Sequence, residues 1–253
     1  MSEKWFRVQE FGITWEEFHR LPRHPAYKKE YFGGRALFTP RPNARHAVLE
    51  LERPEDRTRL GPPDEIDIRP LGESDGEGLR SLFAAAFHRT QPFESLDDKT
   101  RVQAAEACLE KTRAGGDGPL VTAASRVATR RRDDSLAGAL LITLLADGGD
   151  GNTAPSRWRE PPPSDAVERR FGRPHLTWVF VSPWETERGV ATALLEAAAG
   201  ALLDLGYDRL YSTFLVGNDA SLLWHWQNGF RLLPRPSSRR RLARELERGE
   251  APA

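Results

Sequence analysis

Two hydrophobic periods alternate along the chain, and the places where one gives way to the other predict its elements. Strand-length apolar or alternating runs occur at Ile66-Asp-Ile-Arg-Pro-Leu, Leu120 to Thr129, Leu136 to Leu145, 175–182 and 209–216, with a last short one near Phe230-Arg-Leu-Leu. Helical spacing follows Glu73-Ser-Asp, through Leu79, Leu82, Phe83 and Phe87, and again covers Leu96 to Thr112 before Gly115-Gly116. It returns at 189–205, where Val190, Leu194, Ala197, Ala198, Leu202 and Leu205 form one stripe, and at 219–227. The runs 120–129 and 136–145 are joined by Arg130-Arg-Arg-Asp-Asp-Ser and are expected to pair antiparallel.

The first sixty residues follow another pattern, rich in aromatics (Trp5, Phe6, Phe11, Trp15, Phe18, Tyr27, Tyr31, Phe32) and punctuated by Pro and Gly. Trp15-Glu-Glu-Phe-His-Arg-Leu predicts a short helix. Tyr31-Phe-Gly-Gly-Arg-Ala-Leu-Phe predicts a hairpin turning at Gly33-Gly34. Arg57 to Glu65, with Gly61-Pro62-Pro63, reads as a linker, and Gly148 to Pro174 as a long, mobile surface insertion. The expected division is an extension over 1–60, a main domain over 66–235 with its insertion at 148–174, and a charged tail over 236–253.

Composition narrows the class. The 253 residues carry 37 basic and 37 acidic side chains, which gives no general field for nucleic acid or anionic membrane. The tail's Arg239 to Arg241 and Arg244, among its arginines, are interleaved with Glu245, Glu247 and Glu250 and read as a solvated face. No apolar run reaches the roughly 20 residues of a membrane span, and the start lacks a secretory core, so a cytoplasmic protein is expected. Cys108 is the single cysteine, which excludes an internal disulfide and a cysteine metal cluster. It sits in a helical apolar run and reads as a small buried side chain.

The candidate chemistry lies between 175 and 230. A helix whose first turn is Gly189-Val190-Ala191-Thr192 offers free N–H groups at the positive end of its dipole, with little side-chain bulk to hold a pyrophosphate away. It follows Val181-Ser-Pro183 and Thr186-Glu-Arg-Gly189-Val-Ala191, and Asn218 precedes Gly229-Phe230 at eleven and twelve residues. On these motifs the stretch from Ile66 to Leu233 resembles the GNAT superfamily of N-acetyltransferases. The resemblance implies an α/β GNAT fold, a mixed and mostly antiparallel sheet flanked by helices, here with a small α+β N-terminal extension. It implies acetyl-CoA as acyl donor, attacked directly by a primary amine of a small molecule or protein in a ternary complex.

Carried over residue by residue, the resemblance assigns cofactor contacts to the main chain of Val179 and Val181, to Thr186, Arg188, Gly189, Val190, Ala191 and Thr192, and to Asn218. It places the proton-transfer role on His225, seven residues after Asn218, where the family usually has Tyr. Two positions depart from the pattern: Thr186 stands where Arg or Gln is usual, and Glu187 brings a carboxylate near the phosphates. Arg188 is expected to restore a cation there. His225 between Trp224 and Trp226 also admits a packing role, His175 reads as a solvated strand end, and Asp219 as a complement to the helix dipole. The competing reading is a CoA-binding regulatory or interaction module of weak activity. Oligomeric state, including a homodimer, is left open.

Overall fold

A computed structural model of the chain describes residues 8–234, apart from 23, 25, 42, 53–61, 89, 91, 147–157, 159 and 160. The tail over 236–253, most of the linker and the first half of the expected insertion lie outside the described residues.

The extension builds a small sheet of order β1-β3-β2 from β1 (Gln9–Gly12), β2 (Tyr27–Phe32) and β3 (Arg35–Pro40). Gly33 and Gly34, at φ 57° and 78°, supply the two positive-φ residues that a tight hairpin turn needs. Between β1 and β2 lies α1 (Trp15–Arg20), opened by a capping box in which Thr14 and Glu17 exchange hydrogen bonds. The rings of the exposed Trp15 and the half-buried Tyr31 pack on each other and on the buried Phe18, with centroids 5.3–6.2 Å apart. This small sheet docks on the rest of the chain. Ala26 and His24 crowd Gly217, where φ is +97° and an added Cβ would come within 2.5 Å of Ala26 Cβ, and Tyr27 Oη donates to Glu94 at 2.6 Å.

The main sheet has seven strands in the order β10-β4-β9-β8-β7-β6-β5. They are β4 (Ala44–Glu50), β5 (Ile66–Pro70), β6 (Arg126–Arg130), β7 (Leu136–Leu145), β8 (Arg173–Val181), β9 (Arg209–Leu215) and β10 (Arg231–Leu232). Every pairing is antiparallel except β8 with β9. On one face, α2 (Gly76–Ala86) and α3 (Asp98–Arg113) bury Leu79, Leu82, Phe83 and Leu109 against Val127, Leu141, Trp178 and Phe180. On the other, α4 (Val190–Asp204) buries Leu194, Ala198 and Leu202 against Leu140, Ile142, Leu144 and Leu210. Next to it α5 (Asp219–Gln227) follows β9. The result is the expected mixed α/β architecture.

Three expectations change. Leu120 to Thr129 is not one strand: Ala124 and Ser125 N–H both bond Val121 C=O in a turn, and Ser125 Oγ accepts from Ile142 N–H, so β6 starts only at Arg126. The later part of the stretch expected to be mobile is packed, with Ala166 buried and Trp158 Nε1 donating to Leu144 C=O at 2.8 Å. Finally, β4 belongs to the extension by sequence but to the main sheet by pairing. It fills the place between β9 and β10, in register from Ala44↔Leu215 to Glu50↔Arg209.

Removing residues 1–51 therefore strips β9 of its seven-residue partner and leaves a long apolar edge. The truncated chain is expected to aggregate rather than to lose a separable module. Size-exclusion chromatography and thermal melting check this; a monomer with an unshifted melt would contradict the pairing.

Candidate functional site

The site begins where β8 and β9 part. They pair in parallel only at His175↔Tyr211 and Leu176↔Ser212. Beyond these residues β8 keeps its antiparallel partner on the other edge, through Leu141↔Trp178 to Gly138↔Val181. Ser182 N–H bonds Ala137 C=O, so the alternation of an antiparallel ladder turns the main-chain groups of Phe180 and Trp178 toward β7 as well. Those of Val179 and Val181 consequently point the other way, into the gap left by β9. Among the described residues no strand lies along them there.

The turn after β8 is held by charge. Pro183–Glu185 forms a 3₁₀ turn, and Thr186 Oγ1 donates to Pro183 C=O at 2.7 Å. The Glu185 carboxylate is buried and takes Arg130 Nε at 2.8 Å and Arg188 Nη1 at 2.7 Å. Arg188 reaches Glu65 as well, at 3.2 Å. Its guanidinium thus meets two carboxylates and does not line the cavity described below, where the resemblance implied a cation for phosphates. Glu187 stands exposed at φ +64°, a left-handed conformation costing a non-glycine residue roughly 1 kcal/mol or more.

Gly189 adopts φ +81° with nothing within 4 Å of where a Cβ would stand. It is the N-cap of α4 and contributes no side-chain cap, and the helix carries no acidic residue in its first turn. The N–H groups that open the helix are consequently left without the carboxylate or hydroxyl that usually meets them. An anion with several acceptor oxygens fits this end.

Gap and helix end share one cavity of about 530 Å³. Val179, Val181, Thr186, Gly189, Val190, Ala191, Thr192, Asn218 and His225 all line it. Its walls come from both faces of the sheet: α4 and α5 on one, and Phe87, Thr90 and Pro92 after α2 on the other. The cavity thus passes through the sheet at the splay. Asn218 caps α5, its Oδ1 accepting from Ser221 N–H at 3.0 Å.

Both histidines of interest are buried. His225 Nδ1 donates to Ser221 C=O at 2.6 Å, so Nε2 accepts from Ser212 Oγ at 2.7 Å. The ring stacks on Phe214, with centroids 4.4 Å apart, and burial pushes it down to about 4 despite the bond to Ser221. Both nitrogens are bonded inside the fold and burial favours the neutral ring, so at this cavity wall His225 is held in place by Ser221 and Ser212. His175 is not a solvated strand end. Its nitrogens lie 3.0 Å from Thr213 Oγ1 and 3.1 Å from Thr177 Oγ1, and burial, helped by His46, pushes it down to about 3.

Sequence patterns did not single out Ser212, which orders His225, nor the Glu185–Arg130 pair that anchors the turn. Arg130 and Glu185 lie 55 residues apart, so no local spacing signals the latter.

The mixed, mostly antiparallel sheet flanked by helices is the fold that the motifs implied, and the glycine-capped helix stands at its opening. No family model matches the chain, and no curated protein does. Among solved structures it is similar to an aminoglycoside 6′-N-acetyltransferase, AAC(6′)-Iy, crystallised with a CoA bisubstrate analogue, at 22% identity and TM-score 0.42, over 67% of this chain and 93% of that one. It is also similar to a GCN5-related N-acetyltransferase from Sphaerobacter thermophilus, at 15% identity and TM-score 0.47, over 75% of this chain and 48% of that one. A third is PaiA N-acetyltransferase from Thermoplasma acidophilum in complex with coenzyme A, at 15% identity and TM-score 0.46, over 66% and 89%. At these scores the likeness carries no argument about activity.

Because His175 and His225 stay neutral when folded, the unfolded chain binds more protons below its ordinary imidazole value of 6.5. Stability should hold above pH 6.5 and fall as pH drops toward about 4, by roughly 1 kcal/mol per pH unit for each ring. Urea midpoints between pH 7.5 and 4.5 measure this, and His225→Gln should flatten the slope. A midpoint independent of pH would refute the buried neutral assignment.

Proposed function

We propose that the protein is an N-acetyltransferase that takes its acyl group from acetyl-CoA and passes it directly to a primary amine. The observation that carries this reading is the continuity of the uncapped α4 start with the gap along Val179 and Val181. One end suits a pyrophosphate, and the other offers an unpaired strand edge on which an extended chain bearing amides can lie.

When bound, acetyl-CoA supplies an acyl group activated as a thioester. The N–H groups of Gly189 to Thr192 hold its phosphates, with Thr186 at their edge. The main chain of Val179 and Val181 bonds its pantetheine amides, and a main-chain N–H near Val181 serves as hydrogen-bond donor to the acyl oxygen. Asn218 fixes the α5 wall beside that arm, and His225 holds Ser212 in the floor. Cys108 does not line the cavity, which suits direct attack rather than a cysteine-bound acyl group. Apolar walls favour the uncharged amine, the form that can attack, without a dedicated side-chain base.

The alternative of a CoA-binding module with weak activity draws on Glu187 at the cavity wall and on the diversion of Arg188. Turnover with a suitable amine separates the two, since binding is common to both.

Calorimetric titration with acetyl-CoA tests the site. Micromolar affinity is expected, and Gly189→Glu should weaken it by on the order of 100-fold or more, because its carboxylate enters the anion site. Arg188→Ala should change the affinity by less than about threefold, its guanidinium being occupied elsewhere. A large loss in Arg188→Ala, with none in Gly189→Glu, would reverse the assignment.

A further inference from the structure

The two faces of the sheet give the cavity two unlike ends. On the α4 side it is polar and ready for anions. On the α2 side the wall is Phe87, Thr90, Pro92, Trp178 and Phe180. Phe87 belongs to a continuous ring cluster, with its centroid 4.4 Å from Phe83, 5.3 Å from Phe93, 6.1 Å from Trp178 and 6.3 Å from Phe180. Trp178 turns its one polar atom away: Nε1 donates to Thr112 Oγ1 of α3 at 3.0 Å, so its contribution to this wall is carbon surface.

Charge is distributed just as unevenly. The carboxylates that line the cavity among the described residues are Glu185 and Glu187, both on the turn before α4. Glu185 is already neutralised by Arg130 and Arg188. Among the described residues, the α2 wall has no acidic group to meet a second ammonium. A polycationic acceptor entering there would lose hydration at each charge without gaining a counter-ion, whereas a single amine on an apolar body leaves its charge behind on deprotonation and buries the rest. The roughly 530 Å³ must also hold the pantetheine arm, which leaves a small share for the acceptor.

We propose that the acceptor is a small primary monoamine on an apolar, aromatic body, an arylalkylamine, seated with its ring against Phe87 and Phe180. This rests on the acetyl-transfer reading above. The ring gains edge-to-face contacts with the cluster and places the amine at the end of the tunnel nearest the strand gap.

The test follows release of the CoA thiol from acetyl-CoA with 2-phenylethylamine, hexylamine, spermidine, kanamycin and a peptide with a free N-terminus, beside calorimetric binding of acetyl-CoA to the same protein. The expected order places 2-phenylethylamine about 100-fold in kcat/KM above spermidine, kanamycin and the peptide. Phe87→Leu keeps an apolar side chain in the cluster. It should raise KM for 2-phenylethylamine by about 10-fold, leave hexylamine within about twofold, and leave acetyl-CoA affinity unchanged. Preference for spermidine, kanamycin or the peptide would overturn the proposal, as would an equal effect of Phe87→Leu on both monoamines. Tight acetyl-CoA binding with none of the amines acetylated would sink the acceptor class alone, whereas absence of acetyl-CoA binding would sink the parent reading and this one together.

Discussion

A sheet that opens after two paired residues is the constraint on which the rest depends. From Thr177 onward β8 has a strand on one edge only, and the main-chain groups of Val179 and Val181 face a gap in the middle of the protein. Main-chain groups without a strand partner forgo the roughly 0.5–1.5 kcal/mol net of each ladder hydrogen bond, so a split of this kind persists only where the surroundings enforce it. Here three supports do so. The ladder with β7 holds the other edge of β8, α4 and α5 wedge against the diverging strands, and the buried Glu185 ties the following turn to Arg130 on β6. Stability is spent at one place to keep hydrogen-bonding capacity open for a ligand.

The N-terminal segment is part of this enforcement. β4 covers the full length of β9 on the side away from β8, so β9 can leave β8 without becoming an edge. The small β1–β3 sheet closes on the same region, with Ala26 fitted against Gly217 just before α5 and Tyr27 bonded to Glu94 between α2 and α3. It therefore braces the opening from both sides of the cavity's length.

Local pattern revealed much of this. The bounds of β7 and α5 coincide with their expected runs, and α4 and β9 lie within a residue or so of theirs, because each is set by a strong period and a nearby glycine or asparagine. The helix start at Gly189 was legible for the same reason: its chemistry is contained in four consecutive residues. What escaped detection depended on partners far away in sequence. β4 pairs with β9 across more than 150 residues and looks locally like the rest of an aromatic-rich extension. Arg188 next to Gly189 reads as a phosphate ligand until Glu65, 123 residues earlier, and Glu185 take it. His225 reads as a titrating group and His175 as a solvated strand end because burial is a property of the assembled sheet, which favours the neutral form of both. The aromatic wall at Phe87 was read as the end of a helical stripe, since nothing in spacing tells a core ring from one that also faces a cavity.

The central claim is that Val179 and Val181 present their main chain to the gap while Trp178 and Phe180 present theirs to β7. Residue-resolved amide hydrogen exchange, with and without saturating acetyl-CoA, tests it most directly. The account predicts that the amides of Trp178 and Phe180 are protected in both states, whereas those of Val179 and Val181 exchange readily in the free protein and gain about 10-fold or more in protection with acetyl-CoA. Val179 and Val181 amides already protected in the free protein, or unchanged by bound acetyl-CoA, would contradict it.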